Sequence, residues 1–299
     1  MLRLAFVAGL FLHLSLGAQS QLKKFYSIRD VCSFDTVDFV LKAASGNTYI
    51  KNYSQNDHPM VVYGNPDLER INPSFTAKFT SRTCYAALDL ENYNALEFGD
   101  GFSFVMSDAN VEESEHYWKI LVGDQKVYKF RMDYGIGNTE VDLSNIRMDN
   151  LWLKTGSANV RIGYQEESRN LIEMDTFFVK VDLGSLETWN LGNARAENFI
   201  ADIGFGTAIL DFSGQEQTEV RCDAKVGAGS LDVIIPDTDR PVIMYIKGSP
   251  FCGIRLADDF EEVEENVFVN RNYDPEAPDL MTFEIDLAVG TFTVDYSTK

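Results

Sequence analysis

No proline occurs between Pro73 and Pro236. Proline cannot donate to a strand ladder, so a proline-free block of this length is what stacked central strands require. Histidine is nearly absent as well. Beyond His13 in the N-terminal apolar run there are only His58 and His116, each in a polar stretch, NDHP and SEHYW. That supply is too thin for a His-based triad or a zinc site. Both read as surface residues, and no catalytic residue, metal or cofactor is expected. The four cysteines, Cys32, Cys84, Cys222 and Cys252, lack the spacing of a zinc site. After export they could form two disulfides. Cys32–Cys84 and Cys222–Cys252 are preferred, because each closes within its own half of the chain, with free buried thiols as the alternative. Basic residues are outnumbered, 26 against 46 acidic, for a formal net charge of −20. Such a surface repels phosphate backbones and anionic lipid, which argues against a nucleic-acid partner.

Long apolar runs are missing except at the start. MLRLAFVAGLFLHLSLGAQSQ sets Arg3 ahead of an apolar run from Leu4 to about Leu16, followed by the small residues Gly17, Ala18 and Ser20. That is the layout of a cleavable secretory signal over residues 1–20. The run falls short of the ~20 residues a membrane span needs. The expectation is an exported protein without a transmembrane segment, in the periplasm, at the cell surface or extracellular. At 45% hydrophobic residues the rest of the chain can build a core.

What is present is a repeat centred on glycine. Its template sets apolar residues at −5, −3 and −1 from a Gly and again at +2 and +4. Gly206, Gly229 and Gly290 fit fully. Gly137, Gly156 and Gly184 each miss one position, with Thr139, Thr155 and Thr188 in the gaps, and Gly46 is a weaker match. The apolar parity changes at each Gly. In a plain strand that would turn the apolar set to the opposite face. A corner or bulge at the glycine restores one inward face. Each unit therefore reads as strand, glycine corner, strand, and spacings of 19 to 28 residues suit stacked coils of a β-solenoid. A dinucleotide loop is the competing reading of GIG, GFG and GAG. It needs a third Gly and a following helix, and Glu140, Ile209 and Asp232 stand where that Gly should be.

The fold expected is all-β: a short β-solenoid with an N-terminal β segment and an inserted hairpin. Residues 21–128 form an N-terminal β region with a first coil at 35–52. HYWKILVGDQKVYKFRM reads as two strands around a Gly-Asp turn. Residues 129–299 form the solenoid, continuous with that region, and DDFEEVEE (258–265) reads as an acidic connection.

The repeat block resembles a known family. EMDTFFVKVDLGSLE (173–187), IADIGFG (200–206), KVGAGSLDVIIP (225–236) and FEIDLAVG (283–290) look like the bacterial toast-rack domains, the β-solenoid modules of LiaF-like cell-envelope proteins and of adhesins. The resemblance implies an envelope-associated or secreted module that binds or scaffolds, and it brings no catalytic residues with it. LiaF-like proteins carry membrane helices ahead of the module, where this chain has a signal-like segment.

Two outward-facing sets are candidate sites. Asp133, Lys154, Asp182, Asp202 and Lys225 stand at −2 from the first Gly of their coils, with Asp286 in an equivalent slot. Stacking would make them a ladder, either an acidic groove with paired carboxylates or a solvated face of cross-strand charge pairs. Trp189 stands at +5 from Gly184, with Arg161 and Asp211 at the same offset in neighbouring coils. A Trp beside an Arg can stack on a sugar or a partner. The function expected is a non-enzymatic, adhesin-like binding or scaffold protein whose partner is an envelope protein or a polysaccharide. The alternatives are a carbohydrate-active enzyme and a regulator of a cell-envelope stress response.

Overall fold

The computed structural model describes residues 23–30, 33–53, 58–65, 71–90, 97–98, 102–103, 117–214, 219–236 and 240–297. The signal-like segment, Cys32, His116 and the acidic loop 107–115 lie outside these. The first strands are β1 (Lys24–Ile28), β2 (Thr36–Asn52), β3 (Met60–Asn65), β4 (Ser74–Thr80) and β5 (Thr83–Leu90). β6 (Glu97–Phe98) and β7 (Phe102–Ser103) form a separate short antiparallel pair. β8 (Tyr117–Val122) precedes five long strands, β9 (Val127–Asp142), β10 (Arg147–Gly163), β11 (Met174–Trp189), β12 (Ala196–Asp211) and β13 (Val220–Ile235). The chain ends with β14 (Val242–Gly248), β15 (Cys252–Arg255), β16 (Glu261–Glu264), β17 (Val267–Val269) and β18 (Met281–Tyr296).

The protein is all-β. One open 16-stranded sheet orders its main path β1-β3-β8-β2-β9-β10-β11-β12-β13-β18-β14-β17-β16. The seven long strands, β2, β9 to β13 and β18, run parallel and in register, and each bends once at its middle. Every long strand is thus one coil with two limbs, and the inward side chains of both limbs make the core.

Glycine forms the bend at Gly46, Gly137, Gly184, Gly206, Gly229 and Gly290, all with φ between 121° and 148°. Those six pair in register except across β10. At Gly206 two causes coincide. The backbone is one that side chains rarely adopt, and a Cβ there would fall inside the carbonyl oxygen of Gly184 on the coil below. Gly156 is not a corner. Ala158 pairs with both Gly137 and Gly184, and its methyl turns inward and is buried. The template fits Gly156 in a frame displaced by two residues, which leaves the parity unchanged.

The inward set also needs one correction. Residues at −5, −3, +2 and +4 from Gly206, namely Ala201, Ile203, Ala208 and Leu210, are buried, but Phe205 at −1 is 62% exposed. Leu183 and Val289 are its counterparts, at 54% and 49%. They stand in register with Phe205 and Ala228, so the outside of the corner is an apolar ridge. The Thr residues that miss the template face inward. Thr188 satisfies its hydroxyl by donating to Ile209 O and accepting from Asp211 N.

An inner row of large side chains crosses the first limb: Phe39, Phe130, Leu151, Phe177, Phe199, Cys222 and Phe283. Cys222 is the small member. Phe212, from the connection after β12, reaches rings on both sides, 5.1 Å from Phe199 and 5.3 Å from Phe283. The expected Cys222–Cys252 disulfide is not formed, and both are free thiols. Cys222 pairs with Phe283 on one side of β18, while Cys252 pairs with Gly290 on the other. That separation exceeds the ~7 Å limit for Cα atoms of a bridge. Cys84 is also a buried free thiol, and Cys32, its expected partner, lies outside the described residues.

Two other expectations change. HYWKILVGDQKVYKFRM supplies two strands, but β8 and β9 lie on opposite sides of β2 and parallel to it, so they are not a hairpin. Residues 123–126 close a coil instead of a two-strand turn. Within 258–265, Glu261–Glu264 is an exposed strand paired antiparallel with β17.

Candidate functional site

The bend gives each coil two outward faces, one per limb. On the first-limb face the registered charges are Lys42, Asp133, Lys154, Lys180, Asp202, Lys225, Asp286 and Lys247. Lys180 holds the place expected for Asp182, which stands two residues nearer the corner. Signs alternate along most of the row. Lys180 Nζ lies 2.8 Å from Asp202 Oδ2 and 3.6 Å from Asp182 Oδ1. The hydrogen bond to Asp202 raises the Lys180 pKa. The face is a ladder of cross-strand pairs, and the lysine between the two carboxylates removes the acidic groove.

The second-limb face is built differently. Directly after the corner runs a row of small polar side chains: Asn47, Asn138, Asn159, Ser185, Thr207 and Ser230. Asn138 Nδ2 donates to Asn47 Oδ1 and Asn159 Nδ2 to Asn138 Oδ1, both at 3.1 Å, and Ser185 Oγ donates to Asn159 Oδ1 at 2.9 Å. Each bridging amide keeps one N–H and one lone pair for the solvent side. The next outward row carries Tyr63, Lys119, Tyr49, Glu140, Arg161 and Glu187.

Trp189, Arg161 and Asp211 belong to this second face. The level partner of Trp189 on β10 is Gly163, because the true corner there is Ala158. A Cβ on Gly163 would lie 2.7 Å from the indole Cδ2, so the ring rests on that glycine. Arg161 stands diagonally, its guanidinium 5.6 Å from the Trp189 ring centroid, and its Nε donates to Glu187 at 3.1 Å. Asp211 is occupied by its own turn, accepting from Ser213 N at 2.8 Å. The corner thus separates Asp182 and Asp202 from Trp189, Arg161 and Asp211, so the five make no single site.

The concavity that composition did not reveal lies where β8 meets β2. A groove of about 470 Å³ is lined by Tyr49, Lys51, Tyr117, Lys119, Glu140 and Asp142, together with Asn47, Ile50 and Leu121. Lys119 Nζ sits 5.2 Å from the Tyr117 ring centroid and 5.9 Å from that of Tyr49. Glu140 lies 3.8 Å from Arg161 across the coil. A signal existed in NTYIKN and HYWKILV, where polar and aromatic residues alternate with inward ones. Pairing Asn47 with Tyr117 was the missing step.

Among the described residues no group of His, Cys, Asp or Glu converges as a metal site, and no helix is long and apolar enough to cross a membrane. No family model matches the chain, and no curated protein matches it. Solved structures similar to the chain include three at 11–13% identity. The first is described as "a putative cell adhesion protein" from Clostridium sporogenes, with 13% identity over 92% of this chain and 99% of that one, at a TM-score of 0.47. A "putative adhesin" from Bacteroides fragilis is 13% identical over 92% and 96%, with a TM-score of 0.29. A "putative lipid binding protein" from Parabacteroides distasonis is 11% identical over 92% and 96%, with a TM-score of 0.31.

Proposed function

We propose that this is an exported, non-catalytic, adhesin-like binding protein that meets an extended partner along the second-limb face of its coils. The observation that carries the reading is the contrast between the two faces. The first neutralises its charges within itself, Lys180 against Asp202 being the closest pair. On the second, Arg161 pairs likewise with Glu187 and Glu140, but an amide ladder also runs across successive coils from Asn47 to Asn159 and meets a groove flanked by Tyr49 and Tyr117 at the β8–β2 junction. Repetition on a rigid stack suits a long ligand touched at many points. Export rests on the signal-like residues 1–20, ahead of one continuous unit that joins 21–128 to 129–299 through the β2–β9 pairing.

Position-specific cross-linking in the native host tests this. A photoreactive residue in place of Glu187 reports on the second face, and one in place of Lys225 on the first. A defined cross-linked species at 187 and none at 225 is the expected result. Equal yields at both positions, or turnover of glycans by the pure protein, would overturn it.

A further inference from the structure

We infer that the groove at the β8–β2 junction binds an uncharged polysaccharide, laid across the strands and leaving over the asparagine ladder. This rests on the binding reading above and names the ligand class. Charge is the first argument. The protein carries −20 overall, yet the groove sets Lys51 and Lys119 against Glu140 and Asp142 and is neutral. An anionic polymer would meet the two carboxylates and a cationic one the two ammonium groups. Sugar hydroxyls donate and accept together, so they use both kinds of lining without a net charge of their own. Aromatic surface is the second argument. Tyr117 and Tyr49 flank Lys119, and Tyr49 is 37% exposed. Rings of this kind pack on the C–H faces of a pyranose while the lysine between them reaches its hydroxyls.

Continuity is the third. Asn47 lines the groove and begins the ladder through Asn138 and Asn159 to Ser185. Successive strands lie about 4.8 Å apart, close to the advance of one pyranose in an extended chain. A polymer crossing the coils therefore meets one amide or hydroxyl per sugar, and the groove holds its anchored end.

Affinity electrophoresis of the full chain through gels containing hydroxyethyl cellulose, xyloglucan, galactomannan or mannan tests this, with dextran sulfate and chitosan as charged comparators. Retardation by at least one neutral glycan, insensitive to added salt, is expected. Tyr49→Ala and Tyr117→Ala should each weaken it about tenfold with an unchanged melting temperature, and Lys225→Ala should leave it intact. Failure of every neutral glycan, retardation by charged polymers alone, or full binding by both tyrosine variants overturns the inference. A protein cross-linked at position 187 alongside such a failure would sink the glycan assignment and leave the binding reading standing. Absence of any cross-linked species would sink that reading too.

Discussion

Lys180 Nζ on β11 is hydrogen-bonded to Asp202 Oδ2 on β12 at 2.8 Å, one strand away and level in register. Both side chains are 37% exposed, so solvent screens the pair and its contribution is at most about 1 kcal/mol. Asp202 raises the Lys180 pKa above 10.5. A raised lysine pKa contributes stability below the unfolded value and loses it as pH climbs through the folded one. Lys180→Met should therefore melt slightly below the parent at neutral pH. The gap should close above about pH 10.5, read by thermal denaturation across the alkaline range. A gap that widens there would contradict the pairing.

The corner assignment separates two glycines that look alike in sequence. Gly206 has φ 146° and no room for a Cβ, whereas Gly156 lacks a positive φ and a Cβ there would lie 3.0 Å from Gly135 O. Gly206→Val should cost at least about 3 kcal/mol. Gly156→Ala should cost about 1 kcal/mol or less. Urea denaturation of both decides the matter, and equal losses would return Gly156 to the corner.

Thiol accessibility follows from the core. Burial pushes the Cys84 pKa up to about 11 and that of Cys222 higher still, which leaves little thiolate at neutral pH to react. Cys252 is half-buried at the outer edge of β18. Mass spectrometry after alkylation of the native protein should find Cys252 modified and Cys84 and Cys222 protected until denaturant is added. Cys222 and Cys252 recovered as one disulfide-linked peptide would refute the register.

Two phenylalanines on neighbouring strands test which side of the bend is inside. Phe177 is 2% exposed and Phe205 is 62% exposed. Phe177→Ala should destabilise by about 3–5 kcal/mol, and Phe205→Ala by no more than about 0.5 kcal/mol. Chemical denaturation measures both, and a large loss at Phe205 would mean that something covers the ridge.

How much of this was legible depended on the range of the signal. The corners at Gly137, Gly184, Gly206, Gly229 and Gly290 were readable because parity change is local and glycine marks it. Gly156 misled because a shift of two residues preserves alternation, so pattern alone cannot choose the frame. The Cys222–Cys252 pairing failed for a related reason. Sequence distance said nothing of the seven-position offset along β18 between their partners, Phe283 and Gly290. The groove was hidden because its two walls, Asn47–Lys51 and Tyr117–Leu121, are brought together only by the parallel pairing of β2 with β8. The period sets Trp189 on the outward side, whereas its contact with Gly163 depends on the β10 frame, which is displaced by two residues from the template.

β18 is hydrogen-bonded to β13 on one side and to β14 and β15 on the other, although both of those strands precede it in the chain. A ribosome releases β9 through β13 in their stacking order, so these tiers can add one upon another as they emerge. The final tier cannot. β14, which has β17 on its other edge, and β15 must wait without their parallel partner, or leave a place they have already taken, until the last strand arrives between them and β13. Completion of the stack is thus tied to completion of synthesis: a chain halted before Met281 lacks the strand that joins its end tier to the rest.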